Sequence, residues 1–261
     1  MIDAEQILRE TYPDLKIGKE NKFLLKLVKK LLHEDDFNQV IEKNQHLRGF
    51  AFLDKLLNYF KFSYQINPKS YTNIPSEGRL LIVANHPIGT LDGLALVKLI
   101  RSVRPDVRIV ANQVLSYMKP LQSIFLPVDV LSHNASHKQA YKAMLSALEN
   151  EEAVILFPAG EVSRITSKGI RDGEWKTGFI KLAKKAKCPV LPIHIKAANS
   201  ALFYSASSFY KPLGTLLLVQ EMFNKQQQEL KFTVGSPVPY QEFSDSEHSS
   251  KQLSQLFRKH V

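Results

Sequence analysis

Two kinds of apolar pattern divide the chain. Between residues 23 and 32, Phe23, Leu24, Leu27, Val28, Leu31 and Leu32 recur as adjacent pairs every four residues, while Lys19, Lys22, Lys26, Lys29 and Lys30 fall mainly on the other face. That spacing makes one apolar stripe on a helix over Lys19–Leu32, suited either to a membrane surface or to packing on a core. A second helix is predicted from about Asp36 to Lys43. A third is predicted over Gly49–Phe60, with Phe52, Leu53, Leu56, Leu57 and Phe60 apolar. Residues 1–62 therefore read as a helical N-terminal subdomain that can contact a membrane.

Beyond a connector over 61–79, with one edge strand and punctuated by Pro68, Pro75 and Gly78, the pattern changes. Short continuous apolar runs at 80–84, 107–111, 124–130, 153–157 and 190–195 have the length and flanks of buried strands. Helical patterns at 92–104, 136–150 and 177–187 alternate with them. Interleaving of this kind predicts an α/β layered domain over 63–261, with a largely parallel central sheet flanked by helices. Apolar stretches at 216–220 and 231–234 read as added edge strands, and Ser244–Val261 as a terminal helix.

Composition narrows the function. A hydrophobic content of 44% in 261 residues supplies a core, so a disordered chain is excluded. One cysteine, Cys188, excludes disulfide frameworks and cysteine metal sites. The net charge of +10 attracts anionic partners: nucleic acid, anionic lipid headgroups or acidic carriers. Zinc-finger spacing, an arginine-rich arm and an aromatic RNA-binding block are all missing, so nucleic acid is not an expected partner. No apolar run approaches the ~18 residues of a membrane span. The N-terminus has no secretory pattern. A peripheral position on the inner, cytoplasmic face of the cell membrane is expected.

The chemistry gathers at two strand ends. Leu80–Ala84 empties into Asn85-His86-Pro87-Ile88-Gly89-Thr90-Leu91-Asp92-Gly93. His86 carries a proton near neutral pH, and Asp92 stands where a helix begins. An imidazole whose N–H is held by Asp92 keeps its other nitrogen free to take a proton from a bound hydroxyl. The plainer alternative makes His86 a turn residue and Asp92 a helix cap. The run 153–157 empties into Pro158-Ala159-Gly160-Glu161-Val162-Ser163-Arg164. There Gly160 permits close backbone approach, Ser163 offers a hydroxyl and Arg164 a fork for phosphate or carboxylate. Histidines and acids are not clustered at ligand spacing, so no metal site is expected.

Together these loops resemble the glycerolipid acyltransferase superfamily typified by lysophosphatidic acid acyltransferase. The Asn-His-Pro-x-Gly-x-x-Asp-Gly and Phe-Pro-Ala-Gly-x-x-Ser forms are similar to its hemolysin-like branch, which includes lyso-ornithine lipid acyltransferases. Trp175–Phe179, Val190–Ile193 and Asn199–Tyr204 fit the same pattern, and the resemblance covers about residues 48–240. It implies O-acyl transfer from an acyl thioester, of acyl carrier protein or coenzyme A, to a lyso-ornithine-like or lysophospholipid acceptor, without a bound cofactor. His86 and Asp92 become the catalytic pair, and Asn85, Gly89, Gly160, Glu161, Ser163 and Arg164 the substrate-binding set. Two departures stand out. Five residues separate His86 from Asp92, one more than the superfamily's spacing, and the second block, Ile124–Asp129, lacks its arginine. They motivate an alternative: a catalytically inactive lipid- or partner-binding protein with the same fold.

Overall fold

The computed structural model describes residues 2–11, 22–112, 118–128, 135–167, 169–209, 211–225 and 229–261. Its central sheet has seven strands in the order β1 (Ser63–Ile66), β9 (Glu229–Val234), β8 (Val190–Lys196), β2 (Leu80–Ala84), β5 (Ala153–Leu156), β3 (Val107–Asn112) and β4 (Phe125–Val128). Neighbours are parallel except β8 and β9, which run antiparallel. The predicted α/β layering with a largely parallel sheet is therefore present. Residues 129 and 130 of the strand predicted at 124–130 lie outside the described residues.

β2 is central, paired with β5 on one side and β8 on the other, and all five of its residues are buried. A strand covered on both faces has no solvent side, which is why it reads as an unbroken apolar run. Its side chains nevertheless sort by alternation. Leu80, Ile82 and Ala84 join Phe52 and Leu56 of α4 (Gly49–Tyr59) and Leu94 and Val97 of α5 (Thr90–Arg101) in one cluster. Leu81 and Val83 join Leu148 of α6 (Ala135–Glu149), Phe179 and Leu182 of α7 (Gly178–Ala186) and Phe257 of the terminal helix Ser250–His260 in another.

The N-terminal helices are α1 (Ala4–Thr11), α2 (Lys22–Leu31), α3 (Glu34–Lys43) and α4. The stripe predicted for α4 is buried in full, from Phe52 to Phe60. The stripe predicted for α2 is divided. Val28 and Leu32 are buried beside Ala4, while Phe23 and Leu27 are exposed. Lys19 lies outside the described residues.

The expected strand at 216–220 is instead part of a helix, α9 (Lys211–Asn224), which follows α8 (Ala201–Phe209). A short run of apolar residues suits a buried strand and a buried helix alike. Here the helix that carries the run contacts α2, α5 and α8, and Leu217 of the run is buried. A two-stranded antiparallel ribbon, β6 (Arg164–Thr166) and β7 (Gly169–Arg171), also stands outside the predicted pattern.

Candidate active site

His86 is the second residue beyond β2, at the carboxyl edge of the sheet where ligands of open α/β folds collect. The chain turns at Gly89, whose φ of 91° belongs to the left-handed region. A Cβ there would also meet Leu218 Cδ2 at 3.2 Å and Val162 Cγ2 at 3.6 Å. Asp92, wholly buried in the first turn of α5, serves two groups. Its Oδ2 accepts the N–H of Ile88 at 2.8 Å and of Gly89 at 3.1 Å, and its Oδ1 lies 2.8 Å from His86 Nδ1. Cap and histidine partner are thus the same carboxylate. The turn at Gly89 accommodates the five residues between His86 and Asp92 and still brings them to 2.8 Å. The ring N–H does not point squarely at Oδ1, and neither atom has another hydrogen-bond partner.

The imidazole lies flat on Phe157, with ring centroids 3.9 Å apart and planes 19° from parallel. Its side chain is 18% exposed, so the ring is screened but reachable. Burial disfavours the imidazolium, yet Asp92 and then Asp172 outweigh it and raise the pKa above the ordinary 6.5.

A second set of bonds fixes the His86 backbone. Its N–H donates to Asp172 Oδ1 at 3.1 Å, and its carbonyl accepts from the Ser163 N–H at 2.8 Å. Ser163 Oγ donates to the same Asp172 oxygen at 2.5 Å, and Trp175 Nε1 to Oδ2 at 2.9 Å. Arg258 donates to the Asp172 carbonyl. Asp172 is therefore a buried junction that sequence reasoning missed. Its one signal was an acid just before the Trp175–Phe179 block.

Asn85 spends both ends of its amide on Ile195, donating to its carbonyl at 2.9 Å and accepting its N–H at 2.7 Å. This fastens the end of β2 to β8. Asn199 reaches across from the end of β8 and donates to the Pro87 carbonyl at 3.2 Å. Gly160 has φ 70°, and a Cβ there would lie 3.1 Å from Lys176 Nζ. Glu161 Oε2 stands 3.9 Å from Arg164 Nε. The Arg164 guanidinium lies 5.2 Å from the centroid of the Phe203 ring, while its Nε and Nη1 are buried without a hydrogen-bond partner. Of the residues expected at the site, Ser163 is brought directly onto His86, and Arg164 opens the ribbon beside it. A crevice of about 840 Å³ adjoins Ser163, with Asn85, Pro87, Arg171, Asp172 and Trp175 also in its walls; His86 and Arg164 do not line it.

The sequence model of the acyltransferase family matches residues 6–261. The chain belongs to that family. It is 31% identical over 253 residues to a lyso-glycine lipid O-acyltransferase of Bacteroides thetaiotaomicron, covering 94% of this chain and 91% of the relative. It is 28% identical over 270 aligned positions to a protein of the same name from Phocaeicola vulgatus, covering 99% and 93%. In this acyltransferase the one thiol is poorly suited to carry an acyl group. Cys188 is fully buried, and burial pushes its pKa up to about 12.

Proposed function

We propose that this acyltransferase moves a fatty acyl group from a thioester to the hydroxyl of a lysolipid, with His86 as general base. The observation that carries the reading is the 2.8 Å approach of His86 Nδ1 to a carboxylate that two backbone amides hold in place. With Nδ1–H facing Asp92, Nε2 is the basic nitrogen, and it takes no hydrogen bond from the described residues. The acceptor hydroxyl attacks the thioester carbonyl as Nε2 removes its proton. The tetrahedral intermediate expels the thiolate, and the imidazolium returns the proton to that sulfur. Ile88 and Gly89 give their amides to Asp92, and the amides at the start of α5 are the backbone donors we assign to the oxyanion.

The relatives' names point to a glycine-bearing acceptor. Glycine bonded to a fatty chain through its nitrogen keeps a carboxylate, which suits the Arg164 Nε and Nη1 donors that no hydrogen bond takes up. Acyl carrier protein and coenzyme A are both anionic, so either donor fits a chain of charge +10. Among the described residues no helix is long and apolar enough to cross a membrane. A peripheral position on the inner face of the cell membrane would give access to both substrates. Both donors crossed against several lysolipids, with wild type and His86→Ala side by side, test the reading. Transfer by wild type with a loss of about 10²–10⁴-fold in the variant is expected, and equal turnover by the two overturns the base assignment.

A further inference from the structure

Large apolar side chains are exposed at eight of the described positions, and six of these lie on three elements. Phe23 and Leu27 on α2 are 83% and 44% exposed, Ile165 and Ile170 on the ribbon 57% and 43%, and Leu202 and Phe209 on α8 67% and 92%. Scattered exposed apolar residues need no explanation. These are not scattered, because the elements that carry them converge. Leu31 of α2, Phe203 and Tyr204 of α8, and Leu217 and Leu218 of α9 close into one cluster with Val162, two residues before the ribbon. The same Leu218 and Val162 press on Gly89 in the catalytic loop. The elements that carry the exposed residues therefore meet in a cluster that borders the Gly89 turn.

The ribbon adds polarity to the arrangement. Arg164 pairs with Arg171 and Ile165 with Ile170, so alternation puts the two arginines on one face and the two isoleucines on the other. Like charges directly opposite one another destabilise a strand pair, and Glu161, 3.9 Å from Arg164, offsets part of that repulsion. Of the two arginines Arg171 is exposed while Arg164 is held over Phe203, and an exposed apolar pair beside an exposed cation fits the boundary between acyl chains and anionic headgroups. Exposed Lys26 and Lys30 on α2, and the net charge of +10, add to the attraction.

We propose that α2, the β6–β7 ribbon and α8 form the surface by which the enzyme docks on an anionic lipid bilayer, the Ile165–Ile170 pair entering the interface. This rests on the reading that the acceptor is a lipid. It assigns the contact to three elements around the catalytic loop rather than to the lysine-rich α2 alone. A lysolipid leaving the bilayer there meets Arg164 and His86 without crossing water.

Cosedimentation of the full chain with vesicles of phosphatidylcholine, with and without phosphatidylglycerol, tests it. Wild type is expected to bind the anionic vesicles and to bind the neutral ones weakly. The Ile165→Ser/Ile170→Ser and Leu202→Ser/Phe209→Ser pairs should each lower the partition constant by about tenfold or more, with unchanged thermal melts. Leu256→Ser, an exposed leucine on the terminal helix, should leave it unchanged. Absence of wild-type binding, undiminished binding by both pairs, or an equal loss in Leu256→Ser overturns the proposal. So does a dimer that the paired variants dissolve in a wild type that ignores vesicles. Transfer to a lysolipid in detergent micelles separates the two readings. Vesicle binding without micellar transfer sinks the proposed function and leaves the surface standing, and transfer without vesicle binding does the reverse.

Discussion

The hydroxyl of Ser163 and the carboxylate of Asp172 meet across 2.5 Å at the base of the ribbon, and both also hold the backbone of His86. Ser163 immediately precedes β6 and Asp172 immediately follows β7. The two ends of the ribbon are thereby tied to the residue assigned as base. Asp172→Ala removes the acceptor of three hydrogen bonds at once and leaves buried donors unpaired, each costing about 1–3 kcal/mol. Its melting temperature should fall, and kcat should drop by up to about 10²-fold from misplacement of the imidazole. Ser163→Ala keeps the N–H bond to His86 and should lose only about 1 kcal/mol. Denaturant unfolding and steady-state rates check the ranking. Equal effects from the two substitutions would show that the carboxylate is not the junction.

The raised pKa of His86 has two consequences of defined sign. As a base the ring works when neutral, so kcat/KM should climb with pH and level off only above the ordinary histidine value. Asp92→Asn removes the charge that outweighs burial, so the inflection should move down as the rate falls. For stability, a folded pKa above the unfolded one means that protonated His86 favours the folded state. That contribution is complete below about pH 6.5 and is lost as pH rises through the folded value. The difference in unfolding free energy between wild type and His86→Ala, measured across that range, should therefore shrink as pH increases.

How far the sequence reveals this molecule depends on where each signal is stored. Strands such as Leu80–Ala84 are covered on both faces, so composition alone marks them, and helix α4 displays its buried stripe in its spacing. His86 and Asp92 are near neighbours in the chain, and their pairing was open to inference from the turn between them. Asp172 was not, because its role comes from contacts 86 residues away at His86 and nine away at Ser163. The ribbon escaped for a related reason. Three-residue strands bear too few alternations to register, and its exposed isoleucines imitate core residues. The 216–220 segment failed in the opposite sense, since burial of a helix erases the polar face that would have given its period.

Gly214 lets α8 and α9 approach closely. A Cβ on this residue would stand 2.6 Å from Ser207 Cβ and 2.8 Å from Arg164 Nη1, both inside contact distance. Gly214→Ala should therefore push the helices apart and shift the guanidinium, destabilising the fold by about 1–3 kcal/mol. The acceptor KM should rise as well. Ser207→Gly in the same chain relieves the closer clash and should restore part of the stability but less of the KM, because Arg164 remains crowded. A wild-type melt for Gly214→Ala alone would show that the helices yield freely.

Arg164 separates binding from stability most directly. Its Nε and Nη1 are buried without partners, a condition that costs the free protein about 1–3 kcal/mol per donor when nothing else compensates. Its stacking on Phe203 and the 3.9 Å approach of Glu161 offset part of that cost. Arg164→Met keeps the apolar contact with Phe203 and removes the unpaired donors, so the melting temperature should hold or rise. If the missing partner is a headgroup anion, the same substitution should raise the acceptor KM by about tenfold to a hundredfold, the equivalent of a charged hydrogen bond worth about 1.5–3 kcal/mol. The donor KM should stay put. Methyl esterification of a carboxylate acceptor should weaken its use by wild type to a similar degree and have little further effect on the variant. A lowered melting temperature with an unchanged acceptor KM would instead assign Arg164 to holding β6 against α8.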